Sequence, residues 1–370
     1  MNRKKLLITL VLFPIFLISE LAISAEINLE EVEQSGTIST INYDNYDMLI
    51  VDISNDYASY KSIQEAIEAS NANSTIYVKK GVYNEIVSIC KPIKLIGEDK
   101  TLTFIRPESN KNGFAVKIAA TGVKLIDFSI CNDGSGLYTT GVKIIAPNTI
   151  VESCNIFDTP VGIAVWSSNN ILSNCTFSGC NDEGVVLLGS STNSGCKNNL
   201  VTNCEFYGNC DGIELQYSSN NVISNCNFYN NSHAGIDAIG SSNNNNLISN
   251  CILYDNDVFG IYLSRSSENQ ITSCSIDENQ IMMYNVEKTL IEDSEIENIY
   301  LVNADVSLKN CKRLTSSSIK AINSDYSIDN VESIKKSFEE NQVGRGFFIL
   351  NILNFIRNQL EAIKVRIYNR

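Results

Sequence analysis

The sequence predicts an all-β solenoid, namely a single-stranded right-handed parallel β-helix. The first observation is a unit of about two dozen residues that recurs between Gly162 and Ile276, with its clearest copy from Gly212 to Phe228. One cysteine marks each unit, and successive cysteines are 21, 29, 22, 25 and 23 residues apart (Cys154, Cys175, Cys204, Cys226, Cys251 and Cys274). Such a period, with insertions at fixed points, is typical of solenoids.

The second observation is the alternation of residues inside each unit. Ile213 and Leu215 flank Glu214, and Cys226 and Phe228 flank Asn227. A period of two is the signature of β-strands, and no run at helical spacing competes with it in the repeats. Each short strand is expected to pair in parallel with its counterpart one turn later. Because crossovers between parallel strands of one sheet are right-handed, the coil is expected to be right-handed.

The N-terminal residues predict export. A basic start at Asn2–Lys5 precedes an apolar run at Leu6–Ile18, and Ala22–Ser24 provides small residues for cleavage. This order is typical of a cleaved signal peptide, here residues 1–24, and the apolar run is short for a membrane span. We therefore expect a secreted, periplasmic or cell-surface protein.

The charge balance limits the partners. The chain has 42 acidic and 28 basic residues and a formal net charge of −14. Nucleic acid is therefore not an expected partner, because phosphate contacts need a basic surface. A polyanionic glycan would also be repelled unless a cation lay between it and the protein.

Three regions follow the signal peptide. Residues 25–112 are expected to form lead-in strands, the first coils and a capping helix, for which Ser62 and Glu65 supply a capping box. Residues 113–335 contain the β-helix repeats. Residues 336–370 are expected to form a basic amphipathic helix, whose apolar stripe comprises Phe348, Ile352, Ile356, Leu360, Ile363 and Ile367. This helix either packs on the last coil as a cap or contacts a membrane surface or a protein partner.

Two repeated positions predict internal ladders. The six repeat cysteines are expected to stack inward as buried thiols, with a disulfide between Cys180 and Cys210 as the alternative. An asparagine precedes each repeat cysteine by five residues, except the first, and we expect these amides to hydrogen-bond from turn to turn (Asn170, Asn199, Asn221, Asn246 and Asn269). Both ladders have a structural role.

The segments Ser62–Ile67, Ile76–Glu85 and Ile93–Glu98 resemble the opening of exported right-handed β-helix proteins of the pectin-lyase-like superfamily. The Asn-x-Ile-x-x-Asn repeats resemble its NosD-like group, and the similarity extends over about residues 48–310. The resemblance implies the fold. It leaves the function open, because members include polysaccharide lyases, hydrolases, esterases, uronate epimerases and surface proteins without known activity. The NosD-like group implies a further role, as an accessory factor for maturation of a metal site.

One cluster of outward positions has the residues for chemistry. Glu214 and Asp237 occupy equivalent positions on neighbouring turns, and neighbouring strands lie about 4.8 Å apart. Asp211, His233 and Tyr262 lie on the same or adjoining turns. Two carboxylates at this separation are expected either to raise one pKa or to hold Ca²⁺ between Glu214 and Asp237.

This cluster fits two enzymatic mechanisms. In a lyase or epimerase, His233 or Tyr262 would abstract a proton next to a uronate carboxyl, while Arg265 or a cation neutralises that carboxylate. In a glycosidase, Glu214 and Asp237 would act as acid and base. Trp166, the one tryptophan, would serve either as a sugar-stacking platform or as a cap or core aromatic.

Three functions therefore remain open. The favoured prediction is a non-enzymatic extracytoplasmic or cell-surface module that binds glycan or protein partners, because the ladders account for nearly all repeated positions. The alternative is a carbohydrate-active enzyme, a polysaccharide lyase or uronate epimerase, and metal-site maturation is the third. The enzyme hypothesis requires His233, Glu214 and Asp237 to converge in a groove, whereas a flat, open surface would contradict it.

Overall fold

The computed structural model describes residues 48–108, 113–136, 139–190 and 196–329. These residues form a right-handed parallel β-solenoid of about 11 turns, which confirms the predicted fold class. Within these ranges no helix is long and apolar enough to cross a membrane. The predicted signal peptide, residues 1–24, and the predicted helix at 336–370 lie outside the described residues, so both stay predictions, as do the region boundaries.

Strands of successive turns stack into two long parallel sheets. The first sheet has 13 strands: Met48–Val51 (β1), Thr75–Val78 (β2), Lys94–Gly97 (β5), Lys124–Ile126 (β8), Ile150–Glu152 (β11), Ile171–Ser173 (β14), Leu200–Thr202 (β18), Val222–Ser224 (β22), Leu247–Ser249 (β25), Gln270–Thr272 (β28), Thr289–Glu292 (β30), Asp305–Lys309 (β32) and Asp325–Asp329 (β34).

The second sheet has 19 strands, and most turns contribute one short and one long strand to it. Its early strands are Gly81–Tyr83 (β3), Val87–Ile89 (β4), Thr103–Ile105 (β6), Phe114–Ile118 (β7), Ser129–Ile130 (β9), Thr140–Ile144 (β10), Asn155–Phe157 (β12), Val161–Val165 (β13), Thr176–Ser178 (β15) and Glu183–Leu188 (β16). Its later strands are Glu205–Tyr207 (β19), Asp211–Gln216 (β20), Asn227–Tyr229 (β23), Ala234–Ile239 (β24), Ile252–Tyr254 (β26), Phe259–Ser264 (β27), Ser275–Tyr284 (β29), Glu295–Val302 (β31) and Ile319–Ile322 (β33). A small third sheet pairs Cys196–Lys197 (β17) with Ser218–Ser219 (β21).

One short helix, Ile63–Ala69 (α1), occurs among the described residues. Ser62 is its N-cap and accepts the Glu65 amide at 3.3 Å, as the capping box predicts. The Glu85 carboxylate also accepts the amides of Ile63 and Gln64, at 2.7 and 2.9 Å, and so satisfies two further donors of the first turn. That α1 closes the end of the solenoid remains a prediction.

Identical inward side chains stack along the solenoid axis. Phe177, Phe206 and Phe228 are fully buried, and their ring centroids are 4.8 Å apart from one turn to the next. This spacing is that of neighbouring strands, so a residue type repeated at one position forms a continuous column in the core.

The cysteine ladder is confirmed. All six repeat cysteines are buried and free, and Cys311 takes the same position two turns beyond Cys274, with Ser294 on the turn between them. Cys180 and Cys210 are free as well, so the alternative disulfide is absent from the structure. Burial raises the pKa of Cys196 and of Cys311 to about 11, which keeps these side chains as thiols at neutral pH.

The asparagine ladder is also confirmed, and a second ladder accompanies it. In the first, Asn221 Oδ1 accepts from both the backbone amide and the side-chain amide of Asn199, at 2.9 and 3.0 Å. The second ladder lies five residues after the cysteines and joins Asn209, Asn231, Asn256 and Asn279 by the same pair of bonds. The sequence analysis missed it, although the Cys-plus-five spacing was present in four repeats.

A third set of repeated asparagines lies at tight corners between the sheets. Asn174, Asn203, Asn225 and Asn250, each one residue before a ladder cysteine, have φ between 53° and 55°. Asparagine tolerates this left-handed conformation better than most residues. The sequence Asn-Cys is therefore a corner followed by a core position.

Candidate functional site

The candidate site lies on the outer side of the long strands β20, β24 and β27. The strand register pairs Glu214 with Asp237 and Asp237 with Tyr262, as the repeat alignment predicted. Ile213 and Leu215 point into the solenoid core, so Glu214 between them projects outward. We call the outward-facing side of the long strands, from β13 to β33, the outer face.

A buried hydrogen bond joins two of the predicted residues. Asp211 Oδ1 lies 2.7 Å from His233 Nδ1, and it also accepts the backbone amide of Ala234 at 3.0 Å. Asp211 is fully buried and the His233 side chain is 11% exposed. A buried carboxylate on one ring nitrogen fixes the orientation of the imidazole and directs the other nitrogen, Nε2, to a different partner.

Asp237 completes a three-residue cluster. Its Oδ2 lies 3.7 Å from His233 Nδ1, and the ligand-type atoms of Asp211, His233 and Asp237 all lie within 4.8 Å of one another. Glu214, also buried, accepts a hydrogen bond from Gln216 Nε2 on the same strand. The structure thus brings His233 and Asp237 together, and Glu214 is buried opposite Asp237 on the neighbouring strand but is not a member of the cluster.

Tyr262 lies beside the cluster in an aromatic environment. Its ring stacks on Phe259 at 5.3 Å, and Phe259 in turn meets the edge of His233 at 5.8 Å. Burial raises the pKa of Tyr262 to about 12, so its phenol is a proton donor at neutral pH. The sequence analysis also placed Arg265 near this cluster. Its side chain is exposed, and its positive charge offsets only a small part of the rise in the Tyr262 pKa.

The donor set bears on the metal prediction. Ca²⁺ takes six to eight oxygen ligands. The three-residue cluster would supply one imidazole nitrogen with two carboxylates, a set better suited to a transition metal than to calcium. Glu214 and Asp237 alone would supply only carboxylate oxygens from two neighbouring turns, so the calcium prediction at that pair stays a prediction.

Three residues of this neighbourhood were missed by the sequence analysis. Glu183 is buried on the turn before Asp211 and is paired with it in the strand register. Gln216 donates a hydrogen bond to Glu214, and the Phe259 ring packs on His233. The signal for Glu183 was its place directly before a repeat glycine, the place that Asp211 takes one turn later.

Trp166 lies upstream on the same face. It is 46% exposed, and Lys143 Nζ lies 5.5 Å from the centre of its ring. Trp166 follows β13, and the register runs from Ala164 on that strand through Val186 to Glu214, which is two strand spacings or about 10 Å. Trp166 is therefore an accessible aromatic surface at some distance from the acidic cluster, and not a core residue.

Comparisons with known proteins agree with the fold. The family described as "Right handed beta helix region" matches residues 115–257, and no curated protein sequence matches the chain. The resemblance to right-handed β-helix proteins is thereby confirmed, whereas the pectin-lyase-like and NosD-like assignments stay predictions.

Solved structures give the same result. The A-module of the mannuronan C-5 epimerase AlgE4 of Azotobacter vinelandii has a TM-score of 0.54 at 14% identity, over 74% of this chain and 91% of that one. Carrot pectin methylesterase has a TM-score of 0.41 at 13% identity, over 80% and 90% of the two chains. Tailspike protein 2 of bacteriophage CBA120 has a TM-score of 0.48 at 13% identity, over 72% and 44%. At these identities the similarity to the epimerase module establishes the fold alone.

Proposed function

We propose that this right-handed β-helix protein is an exported enzyme that removes the proton next to the carboxyl group of a uronate in a polysaccharide, as a lyase or an epimerase does. The observation that supports this most is the buried bond between Asp211 and His233 beside Asp237. A base oriented by a second side chain is the arrangement expected of a catalytic pair.

His233 is the proposed general base. With Nδ1 bonded to Asp211, the second nitrogen Nε2 would accept the proton from C5 of the uronate. In a lyase the resulting electron pair forms the C4–C5 double bond, the C4–O bond breaks, and the leaving oxygen takes a proton. In an epimerase a proton returns to C5 on the opposite face of the ring.

Tyr262 is the proposed acid in either reaction. Its phenol is protonated at neutral pH, because burial raises its pKa to about 12. Tyr262 lies one turn beyond Asp237. A sugar ring that spanned these two turns would therefore have the base, His233, on one side and the acid, Tyr262, on the other.

Charge sets a condition on the substrate. Asp211, Glu214 and Asp237 are acidic and buried, so a uronate carboxylate would be repelled from their surroundings. A divalent cation held by Glu214 and Asp237 would supply positive charge at this place. We therefore expect activity on uronates to need such a cation.

A non-enzymatic glycan-binding module is the second candidate, and Trp166 favours it. An exposed indole with a lysine over its ring is a surface on which a sugar ring can stack. The buried His233 cluster has no part in such binding, and for this reason we place the enzyme first. Maturation of a metal site stays a prediction without a supporting observation among the described residues.

The test is an assay of the purified protein on uronate-containing and neutral polysaccharides, with and without Ca²⁺. Absorbance of unsaturated uronate reports a lyase, and NMR of the sugar ring reports an epimerase. We expect turnover that His233→Ala abolishes and that Glu287→Gln, an exposed acid away from the cluster, leaves intact. Retention on an immobilised glycan without turnover, lost in Trp166→Ala, would instead establish the binding module. Neither turnover nor retention would overturn both candidates.

A further inference from the structure

A recess of about 420 Å³ lies on the outward side of the first sheet, near its N-terminal end. It extends over three successive turns, at the corners that lead into β2, β5 and β8. Seven residues line it (Asn73, Thr75, Pro92, Ile93, Lys94, Gly122 and Lys124). We call it the lysine recess. The His233 cluster belongs to the long strands of the second sheet, so the two sites are separate.

Two lysines line the recess from neighbouring turns. The strand register pairs Lys94 with Lys124, so their backbones lie one strand spacing apart, about 4.8 Å. Ile150 takes the same position on the following turn, so the positive charge is confined to this place. Neither ammonium group forms an ion pair or a hydrogen bond within the described part of the chain. Like charges at opposed positions destabilise a sheet, and an anion between them would relieve the repulsion.

The rest of the lining also favours an anion. The amide of Asn73 and the hydroxyl of Thr75 add neutral hydrogen-bond donors to the two ammonium groups. None of the seven lining residues is acidic, although the chain has a net charge of −14. A concave site that contains charge of one sign concentrates ligands of the opposite sign.

The size of the recess indicates what carries the anionic group. A volume of about 420 Å³ lies in the range of small-molecule sites and exceeds the volume of a single carboxylate or phosphate group. No aromatic side chain lines the recess, so it offers nothing on which a nucleotide base would stack. The ring of Pro92 and the main chain of Gly122 instead supply carbon surface between the polar groups. A sugar ring, with C–H groups on its faces and hydroxyls at its edge, fits this combination.

We propose that the lysine recess binds an acidic sugar, whose anionic group lies between Lys94 and Lys124. The sugar ring would pack on Pro92, and its hydroxyls would bond with Asn73 and Thr75. A uronate carboxylate and a sugar phosphate share this anionic chemistry, and the two are compared in the experiment. The binding involves no chemical step and does not depend on the proposed enzymatic function.

Gly122 keeps the recess open. Its φ is +77°, and Asn148 takes the equivalent corner on the next turn with a φ of 58°. The nearest described atom to a Cβ placed on Gly122 is Cβ of Pro92, at 3.9 Å. An asparagine would therefore be tolerated at this corner, and its side chain would begin beside Pro92 and occupy part of the recess.

Binding to the full chain is measured by saturation-transfer NMR titration with glucuronate, glucose 6-phosphate, glucose and acetate. We expect at least one of the two acidic sugars to bind about tenfold more tightly than glucose and acetate, because a charge-assisted hydrogen bond contributes about 1.5–3 kcal/mol. The tighter of the two identifies the anionic group. Affinity should fall in 1 M NaCl, where the Debye length is about 3 Å.

Two variants locate this binding. Lys94→Gln with Lys124→Gln removes both charges, and we expect the affinity for the acidic sugar to fall at least about tenfold. Without ligand, this variant should unfold at no lower temperature than the wild type, because a repulsion is removed. Gly122→Asn should reduce the affinity to a similar extent by filling the recess.

Each variant has a matched control. Lys288→Gln with Lys312→Gln makes the same change in net charge at two side chains that are 70% and 72% exposed on later turns. Gly208→Asn repeats the glycine substitution at a corner outside the recess, where φ is +65°. Both controls should bind the acidic sugar as the wild type does.

An unchanged affinity in the Lys94 and Lys124 variant would overturn the proposal. An equal loss in the Lys288 and Lys312 control would overturn it too, because net charge alone would then explain the binding. Acetate that binds as tightly as both acidic sugars would contradict a sugar ligand. Binding that disappears in His233→Ala instead would assign the sugar to the His233 cluster and overturn the lysine recess. Because no turnover is measured, a failure here is distinct from a failure of the polysaccharide assay.

Discussion

The carboxylate of Asp211 lies 2.7 Å from Nδ1 of His233, although 22 residues separate them in the chain. The two residues meet because each belongs to the segment that enters a long strand, Asp211 at the start of β20 and His233 directly before β24. The contact therefore depends on the register between successive turns. A shift of one residue between these turns would separate the pair.

The first prediction concerns this pair. Asp211→Asn preserves the shape of the side chain but removes the charge that holds the imidazole in one tautomer. We expect kcat on the polysaccharide substrate to fall by about 10²–10⁴-fold, the usual contribution of an acid–base group. Circular dichroism and the thermal midpoint should show an intact fold, and Glu287→Gln should retain activity. An unchanged kcat would remove Asp211 from the mechanism.

The sequence predicted the fold well because repetition at fixed spacing reports packing directly. Cys226, Asn221 and Phe228 recur at set offsets, and each offset corresponds to one place in the coil. The column of Glu214, Asp237 and Tyr262 followed from the same alignment.

Burial of the candidate site did not follow from that alignment. Strand alternation assigns Glu214 and Asp237 to the outside of the coil, where polar residues are expected to be solvated. In the structure both are almost fully buried. Whether a segment distant in sequence covers an outer face is decided by tertiary contacts, and a repeat pattern contains no information about them.

The second prediction concerns the asparagine ladder. Asn221→Ala removes the oxygen that accepts two bonds from Asn199, and it leaves a buried backbone N–H without its acceptor. We expect the free energy of unfolding to fall by about 3 kcal/mol, measured by denaturant unfolding. Asn227→Ala, at an exposed strand position in the same repeat, should change it by less than about 0.5 kcal/mol. Equal effects of the two substitutions would contradict a structural role for the ladder.

The third prediction concerns the thiols. Cys90 is exposed, and the other 11 cysteines are buried and free. A colorimetric thiol reagent should therefore titrate one group per native chain at neutral pH and all 12 in denaturant without reductant. Cys90→Ser should reduce the native value to zero. Fewer than 12 groups after unfolding would indicate a disulfide, and additional fast groups in the native chain would contradict the buried ladder.

The fourth prediction concerns pH. Tyr83 is 1% exposed and donates a hydrogen bond to the Lys79 carbonyl at 2.8 Å, and burial raises its pKa to about 12. The folded state holds this proton more tightly than the unfolded state, whose tyrosine pKa is about 10. The stabilisation is therefore complete below pH 10 and is lost as the pH rises from about 10 to about 12.

The variant Tyr83→Phe should lower stability at pH 8 by about 1 kcal/mol, through loss of the hydrogen bond. Its stability should then decline less steeply than that of the wild type between pH 10 and 12. Denaturant unfolding at a series of pH values measures both effects. Tyr57→Phe, at a side chain that is 97% exposed, is the control and should follow the wild type. Parallel wild-type and Tyr83→Phe curves would show that Tyr83 does not contribute to alkaline unfolding.

The fifth prediction concerns the repeat glycines that open the long strands. A Cβ atom on Gly212 would lie 2.5 Å from the carbonyl oxygen of Gly235 and 2.6 Å from Cδ1 of Phe228. The backbone of the next turn is fixed by the strand ladder, so neither contact is relieved by a small movement. We expect Gly212→Ala to cost about 3 kcal/mol, at the upper end for overpacking. Gly208 differs, because its φ is +65° and the nearest atom to an added Cβ is 3.8 Å away.

Gly208→Ala should therefore cost only about 1 kcal/mol, the strain of a left-handed residue with a side chain. Both substitutions stiffen the unfolded chain equally, so their difference isolates the close approach between turns. Denaturant unfolding of the two variants measures that difference directly. A Gly212→Ala cost no larger than that of Gly208→Ala would mean that the turns move apart to accept a methyl group. In that case the glycine column would not set the distance at which Asp211 meets His233.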